Sequence, residues 1–286
     1  MLNEPASSIL EIFLFWYFFF INFIYIVLLL IGAVRIYQRK KEVSVEDFST
    51  ILNSNSLPEI TFIIPFHNEE KNILSCIKSV LNLSYRYKQI ICVNDGSSDK
   101  TMELLKKELD LVSIPDYIRY IIPSSTAACL YRSKVHPEVT VIDKEHKGKY
   151  DAVNLGINAC KDPYFISVDA DTFLDDLGFE AMIRPILAYP EAIAIGGCVR
   201  IKNGCTLEYN RMNTKNMNMK MIPVFQGLEY LRAFLQRQGW SVFNSNFVIA
   251  GSFSIFPTDT IRKVGGFIAS VAEDMEIIVR LHRIMK

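Results

Sequence analysis

The feature that most constrains the fold is a long apolar run near the amino terminus. Residues 12–34 are 23 residues without a charge, and Asn22 is their one strongly polar side chain. As an α-helix the run would be about 34 Å long at about 1.5 Å per residue, enough to cross the hydrocarbon core of a bilayer. Its Ile, Leu, Phe and Val residues together favour insertion by roughly 5–10 kcal/mol, which outweighs the asparagine. We predict a transmembrane anchor over residues 1–34.

A signal peptide and a buried core helix are the other interpretations of this run. A signal peptide has a basic amino-terminal region and a shorter apolar core, whereas this run is longer and Glu4 and Glu11 precede it. The basic cluster RIYQRKK (residues 35–41) follows it. By the positive-inside rule we expect a single-pass membrane protein with its amino terminus outside and residues from 35 onward in the cytoplasm.

Charge and cysteine content argue against several other classes of protein. The 31 lysine and arginine residues balance the 31 aspartate and glutamate residues, so no overall basic surface indicates nucleic-acid binding. The six cysteines contain no C-x-x-C pair, which argues against a zinc site or a disulfide framework. We expect buried, reduced thiols, as is usual in the cytosol.

After a polar linker at residues 35–57, apolar runs alternate with helical patterns from residue 58 to residue 286. Strands are predicted at residues 60–65, 89–94, 139–143, 164–169 and 192–197. Helices are predicted at residues 70–83, 100–111 and 149–160. Continuous β-rich runs separated by helices are typical of a parallel sheet covered on both faces, so the predicted fold class is α/β.

Polar clusters fall where the predicted strands end. PFHNEE follows the first strand, NDGSSD the second, and Asp169-Ala170-Asp171 the fourth. Ligands of such sheets bind outside the carboxyl ends of the strands, so we expect the clusters to line one crevice. Two carboxylates about 4 Å apart repel by roughly 4 kcal/mol at an effective dielectric constant near 20. A divalent cation removes that repulsion, and hard oxygen ligands select Mg²⁺ or Mn²⁺, with phosphate and water completing the coordination.

Two other enzyme classes share parts of this pattern. A haloacid-dehalogenase phosphotransferase places D-x-D-x-T after a strand, but here Thr172 comes one position early. A dinucleotide-binding oxidoreductase needs G-x-G-x-x-G after its first strand, where this chain has FHNEE. Neither class fits, and a D-x-D in a surface loop without function is the remaining alternative for the aspartate pair considered alone.

The motifs taken in order resemble a known family. IPFHNEEKNI, VNDGSSDKT, KGKYDAVNLGINACKDPYFISVDADT, GGCVRI, AGSFSIFPTDTIRKVGGF and AEDMEIIVRLHR are similar to a membrane-bound, inverting family 2 glycosyltransferase. This group includes the synthases of cellulose, chitin, hyaluronan and poly-N-acetylglucosamine. The resemblance extends from about residue 58 to the carboxyl end. It implies a GT-A-type fold, a nucleotide-sugar donor, most often a UDP-sugar, and a glycan or lipid acceptor.

The resemblance also implies roles for residues of the donor pocket. Pro65 and Phe66, with Glu70 close by, would form the edge of the nucleotide pocket. Asp95 would contact the base, and Lys149 would lie near the nucleotide diphosphate.

The remaining implied roles concern metal and acid–base chemistry. Asp169 and Asp171 match the family D-x-D, with Asp171 as the direct ligand of Mg²⁺ or Mn²⁺. Asp274 matches the general base, which takes the proton of the acceptor hydroxyl in a single displacement. A carboxylate that only stabilises a helix amino terminus is the alternative for Asp274.

The chain departs from the processive members of the family at its carboxyl end. Their Q-x-x-R-W motif would follow Asp274, but the sequence ends at Lys286, and Trp240 lies before Asp274 in QRQGW. We expect a fragment of a longer protein that extends a polysaccharide, and a naturally short chain with impaired or no turnover is the alternative to a fragment. Transfer of one sugar to a lipid acceptor, and a non-catalytic nucleotide-sugar-binding relative, are the alternatives.

Three further segments or residue types are less informative. Residues 227–240 have an apolar helical face, which fits either a helix at the membrane interface or a packing helix. Residues 212–221 are rich in methionine and are expected to form a loop. The four histidines lack metal-ligand spacing and are expected to be ordinary polar residues: His67, His136, His146 and His282.

Overall fold

The computed structural model describes residues 4–43, 57–201, 206–208, 211–213 and 221–284. Most of the predicted linker, the greater part of the methionine-rich segment and Cys205 lie outside the described residues. The helices are α1 (Glu4–Val43), α2 (Ile73–Leu81), α3 (Thr101–Glu108), α4 (Lys149–Ala159), α5 (Asp176–Ala188), α6 (Met221–Val242), α7 (Thr258–Lys263) and α8 (Glu273–Ile284). The strands are β1 (Ile60–Phe66), β2 (Lys88–Asp95), β3 (Leu111–Ile114), β4 (Cys129–Ser133), β5 (Val139–Lys144), β6 (Tyr164–Val168), β7 (Ile195–Gly196), β8 (Thr206–Glu208), β9 (Arg211–Asn213) and β10 (Phe253–Pro257).

Eight strands form one mixed sheet in the order β3-β4-β5-β2-β1-β6-β10-β7. The four central strands, β5, β2, β1 and β6, are parallel to one another, whereas all pairings outside them are antiparallel. The predicted α/β class is confirmed, and the predicted strands form the parallel centre and the short strand β7. The antiparallel strands β3, β4 and β10 and the helices α5 and α7 were not predicted.

The sheet is buried on both faces, as continuous apolar strands require. Every residue of β1 is buried, and its side chains alternate between two cores, because successive residues of a strand point to opposite faces. Phe62 lies in the core that includes α2 and α5. Ile63 lies in the core that includes α4, α7 and α8. None of the described cysteines is in a disulfide. Cys129 and Cys198 are exposed, whereas buried thiols were expected.

The apolar run forms the long helix α1. Its segment Ser8–Gln38 is long and apolar enough to cross a membrane, and only 6% of the most apolar stretch of this segment is buried. A buried core helix does not fit this exposure, whereas a membrane span and an amino-terminal signal sequence share these properties. The helix continues through residues 35–43, which were predicted as linker, because RIYQRKKEV contains no glycine or proline to end it.

Helices α1 and α6 belong to one compact unit, and the sheet with its covering helices forms a second. The backbones of α1 and α6 come close at two glycines. A Cβ atom on Gly32 would lie 2.2 Å from the Leu235 carbonyl oxygen, and one on Gly239 would lie 2.4 Å from the Leu28 carbonyl oxygen. Small residues permit this approach. The helix predicted at 227–240 therefore packs on α1, while Ile222, Phe225 and Leu228 of α6 remain exposed.

Candidate active site at the carboxyl edge of the parallel strands

The three predicted polar clusters lie at one edge of the sheet. β1, β2 and β6 are neighbouring parallel strands, so their carboxyl ends meet there. The loops after β1 and β2 are joined by Asn68, whose Oδ1 accepts hydrogen bonds from the backbone N–H groups of Ser98 (2.8 Å) and Asp99 (3.2 Å). The Cys76 thiol, on α2, lies 3.5 Å from the Asp169 carbonyl oxygen, below the end of β6.

The predicted nucleotide-pocket residues differ in accessibility. Pro65 and Phe66 end β1 and are buried, Phe66 to 3% exposure. Glu70 is exposed, and its backbone N–H donates to Asp99 Oδ2 at 3.4 Å. That these residues contact a nucleotide stays a prediction. Of the three, Glu70 has the side chain that a ligand could reach from solvent.

Asp95 is buried at the end of β2, with 3% exposure. Its carboxylate accepts hydrogen bonds from the backbone N–H groups of Lys147 (2.9 Å) and Gly148 (2.8 Å) and from the Lys144 ammonium. Burial alone raises the pKa of this carboxyl, but the bonds from Lys144, Lys147 and Gly148 prevail and hold its pKa below the ordinary value. Asp95 therefore joins β2 to the loop that leads into α4. Its contact with a base stays a prediction.

His67 and His146 also meet at Asp95. Their rings lie 4.5 Å apart, and each Nδ1 atom is within 3.0 Å of the Asp95 carbonyl oxygen. No sequence pattern indicates this pairing, because the two residues are 79 positions apart and come together only when β1, β2 and β5 align.

Lys144 is a buried cation that the sequence motifs did not indicate. Its side chain is fully buried, and its ammonium contacts the Asp95 carboxylate and lies 3.0 Å from Asp151 Oδ2. Asp151 Oδ1 accepts the backbone N–H of Ser125 at 2.9 Å. A lysine that continues an apolar strand, as in VTVIDK, is the signal that could have indicated a buried ion pair, because lysine is almost never fully buried unless paired.

We predict that Lys144→Met destabilises the protein by about 3–5 kcal/mol at pH 7, because removing one partner leaves buried carboxylates without a counter-charge. The folded-state pKa of Asp95 is lowered, so its stabilisation is present above its unfolded pKa and is lost as the pH falls through the folded value. Urea denaturation from pH 7 down to pH 3 should show this acid loss in the wild type and a smaller one in the variant. Lys134→Met, at a lysine with 60% side-chain exposure, is the control. A Lys144→Met variant as stable as this control would contradict the prediction.

Lys149 brings two sequence motifs together. It begins α4, and its ammonium lies 2.6 Å from Asp169 Oδ1 and 3.8 Å from Glu273 Oε1. Burial acts to lower the pKa of Lys149, but the negative charges of Asp169, Glu273 and Asp274 prevail and raise it. Lys149 is therefore a fixed cation between the D-x-D and A-E-D motifs. Glu273 was not predicted as a site residue.

Asp274 lies in the first turn of α8 and is half-buried. Burial raises the pKa of its carboxyl, Lys149 opposes that rise, and Asp169 adds to it. Burial also raises the pKa of the neighbouring Glu273. The two predicted acids Asp169 and Asp274 therefore share one electrostatic environment centred on Lys149.

The aspartate pair has the exposure and donor chemistry of a divalent-cation site. Asp171 is exposed and Asp169 is one-third exposed. Burial raises the pKa of the Cys76 thiol to about 12, and the negative charges of Asp171 and Asp169 add to that rise. Among the described residues no three His, Cys, Asp or Glu side chains are arranged to hold a metal by themselves. Two carboxylates with open positions fit Mg²⁺ or Mn²⁺, which take their remaining oxygen ligands from water and phosphate.

A mixed sheet with a parallel centre, whose strand ends carry an aspartate pair and a paired lysine, has the architecture of a GT-A-type glycosyltransferase. The solved structure of mannosyltransferase PcManGT from Pyrobaculum calidifontis, in complex with GDP-Man and Mn²⁺, has this fold. It superposes with a TM-score of 0.55 at 16% identity, over 79% of this chain and 52% of that one.

Residues 61–264 match the family model described as Glycosyl transferase family 2. The chain belongs to this family, which confirms both the resemblance and the enzyme class predicted from the sequence. It is similar to the poly-beta-1,6-N-acetyl-D-glucosamine synthase of Staphylococcus aureus (strain COL), with 26% identity over 234 residues, 81% of this chain and 47% of the relative. The Staphylococcus epidermidis protein of the same name is 26% identical over 226 residues, 78% of this chain and 45% of the relative. The chain thus spans about half the length of the curated relatives it matches.

Proposed function

We propose that this chain is the donor-binding and catalytic part of a membrane-anchored, inverting glycosyltransferase that adds sugars from a UDP-sugar to a growing polysaccharide. The observation that carries the proposal is the position of Lys149, which contacts Asp169 at 2.6 Å and influences the ionisation of Asp274. A cation and a general-base candidate thus stand at the same edge of the sheet.

This arrangement suits a single displacement at the anomeric carbon. The bond from the acceptor oxygen to that carbon forms while the bond to the diphosphate breaks, and the acceptor proton passes to the Asp274 carboxylate. Lys149 holds a positive charge beside Asp169, where negative charge on the departing diphosphate would develop. A divalent cation held by Asp169 and Asp171 would supply further charge neutralisation to the leaving diphosphate when bound.

The donor and the product are proposed from the relatives. The curated relatives are named for a polymer of N-acetylglucosamine, so UDP-N-acetylglucosamine is the first donor to test. The solved mannosyltransferase holds Mn²⁺ with its nucleotide sugar, which supports Mn²⁺ as the ion for the first assay, with Mg²⁺ as the second. Transfer of one sugar to a lipid acceptor and a non-catalytic nucleotide-sugar-binding relative remain the competing functions.

The test is turnover by the full chain in detergent, with radiolabelled UDP-N-acetylglucosamine, UDP-glucose and GDP-mannose as donors and membrane lipids and short glycans as acceptors. Label in a product that grows with time supports polymer extension. Label that stops at one sugar on a lipid supports the lipid-acceptor alternative. Tight metal-dependent UDP binding with no transfer to any acceptor supports the non-catalytic alternative.

We also propose that α1 anchors the chain with the site in the cytoplasm, because the basic cluster RIYQRKK follows the apolar run. In inverted membrane vesicles, protease is expected to digest the sheet-containing unit, whereas in sealed cells it should leave that unit intact. Digestion from outside sealed cells would reverse the proposed orientation.

A further inference from the structure

The position of Gly251 relative to Asp274 has a consequence for the proposed chemistry. Strand β10 is antiparallel to β6, with Phe253 opposite Val168. A strand that runs antiparallel to β6 begins where β6 ends. Gly251, just before β10, therefore lies at the edge where Asp169 follows β6.

The Asp274 carboxylate lies directly against Gly251. A Cβ atom on Gly251 would be 1.8 Å from Asp274 Oδ2, 2.3 Å from Cγ and 2.4 Å from Oδ1. Its nearest neighbours are thus the three terminal atoms of one side chain. At Gly197, by contrast, a Cβ would meet the core side chains of Phe253 (2.3 Å) and Met182 (2.7 Å).

Hydrogen bonds hold the backbone on either side of Gly251 in place. The Ala250 carbonyl oxygen accepts hydrogen bonds from the Phe253 N–H at 3.2 Å and from the Ser254 hydroxyl. The Phe253 carbonyl oxygen in turn accepts the Gly197 N–H at 2.9 Å.

The backbone of Asp274 is equally fixed, because α8 buries Ile277, Ile278 and Leu281 in the core. A methyl group at position 251 would therefore displace the Asp274 carboxylate, because this group can move by rotation about the side-chain bonds of Asp274 alone. The backbone conformation of Gly251 is outside the positive-φ region, so alanine is compatible with it.

We propose that Gly251 is a positioning residue whose missing side chain keeps the Asp274 carboxylate in the place where it can accept the acceptor proton. This inference rests on the proposed function, in which Asp274 is the base. Displacement of a catalytic group by about 1 Å can lower a rate by about 10²-fold. Donor binding involves the other side of the reacting carbon and should not depend on position 251.

The test is Gly251→Ala in the full chain. The kcat for sugar transfer is expected to fall about 100-fold, while UDP affinity measured by calorimetry and the thermal midpoint stay at their wild-type values. Gly178→Ala is the matched control, because a Cβ there would meet only the Asp175 Cβ at 4.0 Å. This control should keep the wild-type kcat.

A double-mutant cycle separates positioning from a general structural effect. If Gly251 acts through Asp274, adding Gly251→Ala to Asp274→Asn should lower kcat no further, because groups that act as a unit are non-additive. A Gly251→Ala enzyme within threefold of wild type, an additive loss, or a loss of UDP binding would overturn the inference. Full activity of Asp274→Asn alone would instead overturn the proposed base.

A second measurement does not depend on turnover. Crystal structures of the wild type and Gly251→Ala should differ in the position of the Asp274 carboxylate by about 1 Å or more, since a Cβ atom 1.8 Å from Oδ2 would be far inside van der Waals distance. An unmoved carboxylate overturns the inference even if no donor is turned over.

Discussion

Replacing Asp274 by asparagine is expected to lower the kcat for sugar transfer by about 10³-fold, because a positioned general base contributes about 10²–10⁴-fold to the rate. Asparagine has almost the same shape but cannot accept the proton. Burial raises the pKa of the half-buried Asp274 carboxyl, Lys149 opposes that rise and Asp169 adds to it. A carboxylate whose pKa is raised toward the operating pH is a better proton acceptor. Initial rates with saturating donor and acceptor would measure the effect.

Two controls define this result. Asp259→Asn removes a carboxylate that is 84% exposed, in the first turn of α7, and should leave the rate unchanged. UDP affinity of Asp274→Asn should equal that of the wild type, since the base contacts the acceptor and not the nucleotide. A rate within tenfold of wild type would mean that Asp274 only stabilises the amino terminus of α8, the alternative considered from the sequence.

Replacing Asp171 by asparagine is expected to abolish the metal dependence of UDP binding. In the wild type, Mn²⁺ should tighten UDP binding by about 10–100-fold, which corresponds to about 1.4–2.8 kcal/mol. The cation would join the diphosphate to the Asp169–Asp171 pair, and each pairing of opposite charges near a surface is worth a few kcal/mol. Calorimetry with Mn²⁺ and with a chelator measures the difference.

The same titration separates the contribution of the metal to UDP affinity from the contribution of Lys149. Asp171→Asn should bind UDP equally with and without Mn²⁺ and retain the metal-free affinity, because Lys149 pairs with Asp169 and not with Asp171. The Asp259→Asn variant should keep the full metal effect. Metal-dependent binding that survives in Asp171→Asn would transfer the ligand role to Asp169 or remove it from the pair.

The parallel centre of the fold was predictable because each of its strands is a continuous apolar run. β1, β2, β5 and β6 are buried on both faces, so their sequences carry a strong and simple pattern. The edge strand β3 is only partly buried and has four residues, which leaves no pattern to distinguish it from a loop. β10 is buried, but its run FSIFP is equally compatible with other structures.

The candidate site was predictable in its residue types and in its edge of the sheet, but its contacts were not. Asp169 follows a strand in the sequence, and parallel strands end at the same edge. That Lys149 pairs with Asp169 rather than with Asp171 depends on where α4 begins. The buried Lys144 depends on Asp95 and Asp151, which lie on different elements.

The sequence by itself determined the apolar helix, the α/β class and the family, and it supplied the candidate acids and lysine, because each is encoded in a local run or a short motif. Only the tertiary structure decided which charges meet, since an ion pair depends on distance between elements that are far apart in the chain. It also placed the Asp274 carboxylate where a side chain at position 251 would be, whereas the sequence shows only a glycine before a strand.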